Sequence, residues 1–156
     1  MLRMGWNYER GTGALQTKAD TGALDDSGAL DTLVLISLFT DAEATPAEIA
    51  AAGLNQQRGW WADADSVRPA DTHRLGSKLW LLSREKLNLA TRRRAETYAR
   101  ESLQWLIDRG MASAVTVKAA SPRPGWLALE VSIERASSLL PRYSKLWEVP
   151  FAVTTR

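Results

Sequence analysis

Cysteine is missing altogether, and histidine occurs once, at His73. The first absence excludes a disulfide framework, a thiolate nucleophile and a cysteine zinc site. The second removes paired-histidine metal motifs and narrows any nucleophile–histidine combination to a serine with His73. Ser37, Ser77 and Ser83 stand outside any GxSxG turn, and no GxxxxGK phosphate loop occurs. Asp25, Asp26 and Asp31 lack the alternating oxygen ligands, central glycine and closing glutamate of a calcium loop, so turn and capping roles suffice for them. No cofactor and no metal is expected. Long apolar runs are missing too: nothing approaches the roughly 18 residues of a spanning helix, and the start MLRMGWNYER lacks the apolar segment of a secretion signal. The chain is expected to be made and kept soluble.

Paired carboxylates are scarce. Glycoside cleavage needs two carboxyl groups about 5 to 9.5 Å apart. Glu130 and Glu134 share one face of an extended segment, where four residues of rise separate them by about 13 Å. Asp63, Asp65 and Glu85 are the remaining carboxylates of interest, and nothing in the spacing brings two of them together.

What is present is ordinary globular material: 45% hydrophobic and 24% charged residues in 156, enough for one domain with one core. The net charge of +2 is unevenly spread, with 3 Lys+Arg against 8 Asp+Glu in residues 1–56 and 17 against 10 in residues 57–156. Halves of opposite sign can attract each other or present different signs to neighbours in an assembly. Only Arg92 to Arg94 form a basic run, so nucleic acid is not an expected partner.

The stretch Gly76 to Gly110 organises the chain. In its second half Asn88 is placed to cap a helix, Ala95, Ala99, Leu103, Leu106 and Ile107 recur at helical steps, and Gly110 follows as a stop. The opposite face carries Arg92, Arg93, Glu96, Arg100, Glu101 and Asp108, with Glu96 in reach of Arg92 and Arg93. In the first half Leu79, Trp80, Leu81 and Leu82 predict a short helix covered all round. Upstream, Leu30 to Phe39 reads as a buried helix with Asp31 in its first turn. Thr45 and Pro46 are the cap and first position of a short alanine-rich helix that Gly53 closes, inside an insertion near residues 42–56. Residues 1–29 form an extended arm punctuated by TGAL, TGAL and SGAL, too irregular for a calcium-binding solenoid. Residues 30–156 then make a single domain.

After Gly110 the period changes from helical to two. Ala114 to Ala120, the turn SPRPG and WLALEVSIER predict a hairpin, and Arg142 to Val149 a third strand whose outer edge stays open beside Pro150. The fold class is α+β: an N-terminal extended arm and helices packed on a small C-terminal antiparallel sheet. Three groups of residues are candidate protein interfaces. Trp60 and Trp61 are adjacent rings of a type that concentrates binding energy. Leu79, Trp80 and Leu82 form the apolar rod, and Tyr143, Lys145 and Trp147 line one face of the last strand.

The ordered blocks LISLFTD, RGWW, GSKLWLLSREK, ESLQWLIDRG and the following hairpin, from about Leu30 to Trp147, resemble the small baseplate protein family of phage Mu-like contractile tails. Members of that family look like relatives of the T-even baseplate-wedge protein that starts the tail sheath. The resemblance implies a noncatalytic, sixfold-repeated wedge component of the virion baseplate. Its implied partners are other wedge subunits, the tail sheath protein and tail hub or tube-proximal proteins, with no nucleic acid and no membrane. It also implies a helical bundle between chains and a sheet facing the first sheath ring. Some relatives have been described as lysozyme-like. The alternative is therefore a peptidoglycan hydrolase using Glu85 with Asp63. Ala42 to Gly53 and the region after Pro141 depart most from the family pattern.

Overall fold

A computed structural model describes residues 4–7, 12–15, 29–60, 74–135 and 143–150. The chain divides into two compact units, Met1–Ile36 and Ser37–Arg156. In the first, β1 (Met4–Asn7) pairs antiparallel with β2 (Thr12–Leu15), Trp6 opposite Gly13, so the first TGAL copy is a strand of a hairpin. Thr21 to Ser27, in the later copies, lies outside the described residues. Helix α1 (Ala29–Phe39) begins in this unit, carries Asp31 in its first turn and buries Val34, Ser37 and Leu38 along its length. Among the described residues no helix is long and apolar enough to cross a membrane.

In the second unit, helix α2 (Pro46–Ala51) starts at Thr45, whose hydroxyl accepts the Glu48 N–H while the Glu48 carboxylate accepts the Thr45 N–H. This reciprocal capping box, with proline at the first helical position, is the start predicted from sequence. The run LWLL takes a different form from the predicted helix: Lys78–Leu82 is a 3₁₀ helix capped by Ser77. Trp80, Leu81 and Leu82 are buried in it, and the cover comes from this chain. Short runs of this length are where 3₁₀ coils occur, and at three residues per turn Trp80, Leu81 and Leu82 point in three directions, each of them covered.

Helix α3 (Leu89–Asp108) matches its prediction at both ends. The Asn88 side chain accepts the Thr91 N–H at 2.9 Å. At the far end Gly110 has φ of +68°, its N–H reaches Ile107, and the Met111 N–H reaches Leu106. Those two bonds need a residue in the left-handed region at Gly110, which glycine adopts without a Cβ penalty. Thr91, Ala95, Ala99, Ser102, Leu103 and Leu106 form its buried stripe.

The C-terminal sheet has the order β3 (Ala112–Ala120), β4 (Trp126–Arg135), β5 (Tyr143–Pro150), all antiparallel. Val117 faces Val131, Leu129 faces Trp147 and Ile133 faces Tyr143, so every apolar position of the predicted alternation lies on one side. On that side Val117, Leu127, Leu129, Val131 and Ile133 are buried, and α3 packs against β3. Each such leucine or isoleucine contributes about 1.5 to 3 kcal/mol through burial. The α+β architecture is the one predicted.

One glycine fixes how the start of the second unit crosses its 3₁₀ helix. Asp41 and Ser77 form a parallel bridge, with Ser77 N–H bonded to Thr40 O at 2.9 Å and Ala42 N–H to Ser77 O at 3.0 Å. The Ser77 hydroxyl donates to Leu38 O at 2.6 Å. Gly76, at φ +104°, lies so close that a Cβ built on it meets Thr40 O at 2.5 Å.

Candidate functional site

The apolar rod is core. Leu82 is fully buried and Trp80 is 7% exposed, while Leu79 is half-buried. Trp80 packs with Ala44, Ile49 and Leu81, joined at the margin by Ala52, Leu54 and Tyr98, and its indole N–H donates to Ala42 O at 2.9 Å. Arg58 lies 5.4 Å above the Trp80 ring and pairs with Asp41 at 3.0 Å. Trp80 and Leu82 are thus turned into the interior of this chain. Ala44, Ile49, Ala52 and Leu54, within the stretch near residues 42–56 read as an insertion, supply part of the cover over Trp80. Trp60 is half-buried, and Trp61 lies outside the described residues.

Glu48 holds the same corner electrostatically. Its carboxylate takes Lys78 Nζ at 2.6 Å as well as the Thr45 groups. The Lys78 bond first, then the Thr45 backbone and hydroxyl bonds, lower its pKa from 4.5 to about 2. A carboxylate depressed on folding stabilises the fold fully above its unfolded pKa and loses that contribution as pH falls toward the folded value. Comparing Glu48→Gln with the parent by urea unfolding, we expect a difference of about 1 kcal/mol at pH 6, shrinking toward zero near pH 2. A difference that stayed constant with pH would show the ion pair and cap to be irrelevant to stability.

Of the two residues named for the hydrolase alternative, only Glu85 lies among the described residues. Glu85 forms an ion pair with Arg94, the third residue of the basic run, and accepts the Thr91 hydroxyl at 3.2 Å. Asp63 and His73 lie outside the described residues. Glu130 and Glu134 are exposed on the outer face of β4. Among the described residues no group of three or more His, Asp or Glu could hold a metal ion. An open groove beside α2 is lined by Glu43, Arg74, Lys78, Tyr98 and Glu101, with Arg74 paired to Glu43 and Lys78 to Glu48.

The sheet edges differ from each other. On β3, the backbone N–H of Ala119 is taken at 2.8 Å by Oε1 of Glu96, reaching across from α3. Glu96 therefore serves as an edge plug as well as a member of the charged helix face. The signal in the sequence was slight: its place beside the Ala95/Ala99 stripe puts it at the rim of the buried face.

On the other side β5 is the last strand of its sheet among the described residues. Tyr143, Lys145 and Trp147 alternate, half-buried, on its inner face, and Ser144, Leu146 and Glu148 are exposed on its outer face. Trp147 meets Phe39 edge-on at 5.7 Å, and Lys145 Nζ stands 4.5 Å from its ring. Its indole N–H is out of solvent and meets no hydrogen-bond acceptor among the described residues. Phe39 is 39% exposed, and Leu146, at 56%, stands opposite Glu130 in the middle of the strand. A strand that is last in its sheet among the described residues, bordered by rings and centred on an exposed leucine, has the chemistry to take up another chain by backbone pairing.

The sheet thus carries a helical layer, with one N–H of its β3 edge taken by Glu96 and with β5 as its last strand among the described residues. The chain belongs to the family described as phage protein GP46, whose profile matches residues 30–139. It is 45% identical over 109 residues to baseplate protein gp46 of Escherichia phage Mu, the match covering 70% of each chain. It is also 35% identical over 133 residues to the Mu-like prophage FluMu protein gp46 of Haemophilus influenzae, covering 85% of this chain and 87% of that one.

Proposed function

We propose that this chain is a structural subunit of a Mu-like phage tail baseplate, repeated in the sixfold wedge, whose β5 edge accepts a strand from the tail sheath protein and so starts sheath assembly. Family membership and the naming of its Mu relative as a baseplate protein support the baseplate role. The observation that carries the finer reading is the unequal treatment of the two sheet edges. Glu96 takes an outward N–H of β3, whereas β5 ends the sheet among the described residues with Leu146 56% exposed. An added strand gains backbone hydrogen bonds along β5 and covers Leu146, and the Phe39, Trp147 and Lys145 border supplies side-chain recognition. Other wedge subunits and hub or tube-proximal proteins are the further partners of this reading, through the remaining surface.

Leu146→Lys tests it. The site is exposed, so the variant folds and melts within about 0.5 kcal/mol of the parent. In complementation of a phage lacking this chain, sheathed tails are expected to fall roughly ten-fold, the effect of losing one central contact worth about 1.4 kcal/mol. A normal yield of sheathed tails from that variant would remove β5 from the mechanism.

A further inference from the structure

We infer that β5 is also self-complementary, and that before assembly a second copy of this chain occupies the edge through an antiparallel β5–β5 pairing with its two-fold axis at Leu146. The inference rests on the same open edge as the assembly reading, but not on the identity of the assembly partner. It comes from the order of residues about Leu146. In the β4–β5 ladder, even-numbered β5 residues lie on the outer face and odd-numbered ones on the inner face. A continuous antiparallel sheet keeps opposed residues on one face, so only registers pairing even with even are available.

With the axis at Leu146, the two exposed leucines oppose each other on the outer face. Ser144 then stands against Glu148 of the second copy on that face, giving a hydroxyl to a carboxylate. On the inner face Lys145 stands against Trp147 of the second copy, so the ammonium gains a second indole ring beside the one it already meets. Every opposed pair is favourable, and no like charges meet.

The neighbouring registers are poorer. With the axis at Lys145 two ammonium groups face each other. With the axis at Trp147 each leucine faces a carboxylate, and Lys145 loses its ring for Val149. The backbone agrees: Pro150 is paired with Trp126 and has no N–H to give to β4. That fits even-numbered residues turning their backbone groups outward, toward the second copy. The pairing would hide in the free protein an edge that otherwise invites non-specific association, and the incoming assembly partner would displace it.

The chain has no cysteine, so a single introduced thiol reports the register. Sedimentation of the full chain over a range of concentrations is expected to show reversible dimers, weakened at least ten-fold in Leu146→Lys. Under mild oxidation Leu146→Cys is expected to become a disulfide-linked dimer, since directly opposed residues fall within disulfide range. Ser144→Cys alone is expected to stay monomeric, its two copies lying roughly 13 Å apart along the strands. An equimolar mixture of Ser144→Cys and Glu148→Cys is expected to cross-link. A chain that stays monomeric throughout, a dimer indifferent to Leu146→Lys, or Ser144→Cys cross-linking as fast as Leu146→Cys would each overturn the pairing. The two readings fail separately. A monomeric parent whose Leu146→Lys variant still makes no sheathed tails removes self-pairing alone. A variant that abolishes the dimer yet builds normal tails removes the assembly reading alone.

Discussion

Gly76→Ala is expected to destabilise the protein by about 3 to 5 kcal/mol and to lower its melting temperature by roughly 10 °C. Two independent costs add. The backbone at Gly76 has φ of +104°, a region that side chains with a Cβ rarely adopt. The new Cβ would also meet backbone atoms, Thr40 O at 2.5 Å and Ala42 N at 2.9 Å, which cannot rotate away as a side chain could. Relieving the contact means opening the Thr40–Ser77 and Ala42–Ser77 hydrogen bonds and drawing Ser77 away from Leu38 O. The proper control is Gly110→Ala, where φ is +68° but nothing lies within 4 Å of the added atom. It should cost about 1 kcal/mol. Equal melting temperatures for the two variants would show that the crossing of residues 40–42 over Ser77 is not close-packed.

Leu103→Ala should cost about 3 to 4 kcal/mol in urea unfolding, against less than about 0.5 kcal/mol for Leu146→Ala. Leu103 is fully buried on the stripe of α3 that also holds Ala99 and Leu106. Its neighbours at the four-residue steps, Ala95 and Ala99, are already small. They have no atoms with which to fill the space a truncated leucine leaves, so the cavity persists and adds to the lost transfer energy. Leu146 removes little from water in the isolated chain and stands as the internal control. A loss at Leu103 as small as that at Leu146 would mean that α3 does not form the centre of the core.

Helix α3 and the hairpin after it were readable because their information is local. Asn88 and Gly110 mark ends through bonds to residues within one turn, and the two periods of hydrophobic alternation need no partner to be seen. LWLL was harder. Four adjacent apolar residues have no polar side from which to infer direction, and the sequence could not say whether their cover came from this chain or another. Ala44, Ile49, Ala52 and Leu54, inside the stretch near residues 42–56 read as an insertion, are part of that cover. Glu96 shows the same limit: a glutamate four residues from an arginine reads as a helix-surface pair, and only the approach of β3 turns it toward Ala119. Of the candidate interface residues, Tyr143, Lys145 and Trp147 fall together on one strand face, because period two survives in an edge strand. Trp80 and Leu82 do not join them, since hydrophobicity alone does not separate a core from a contact.

The carboxylate of Glu96 on Ala119 has a consequence for association. It occupies one outward N–H of β3, so a strand arriving at that point must displace the glutamate or forgo the hydrogen bond. The competitor is built into the chain itself, 23 residues away in sequence from the strand it meets.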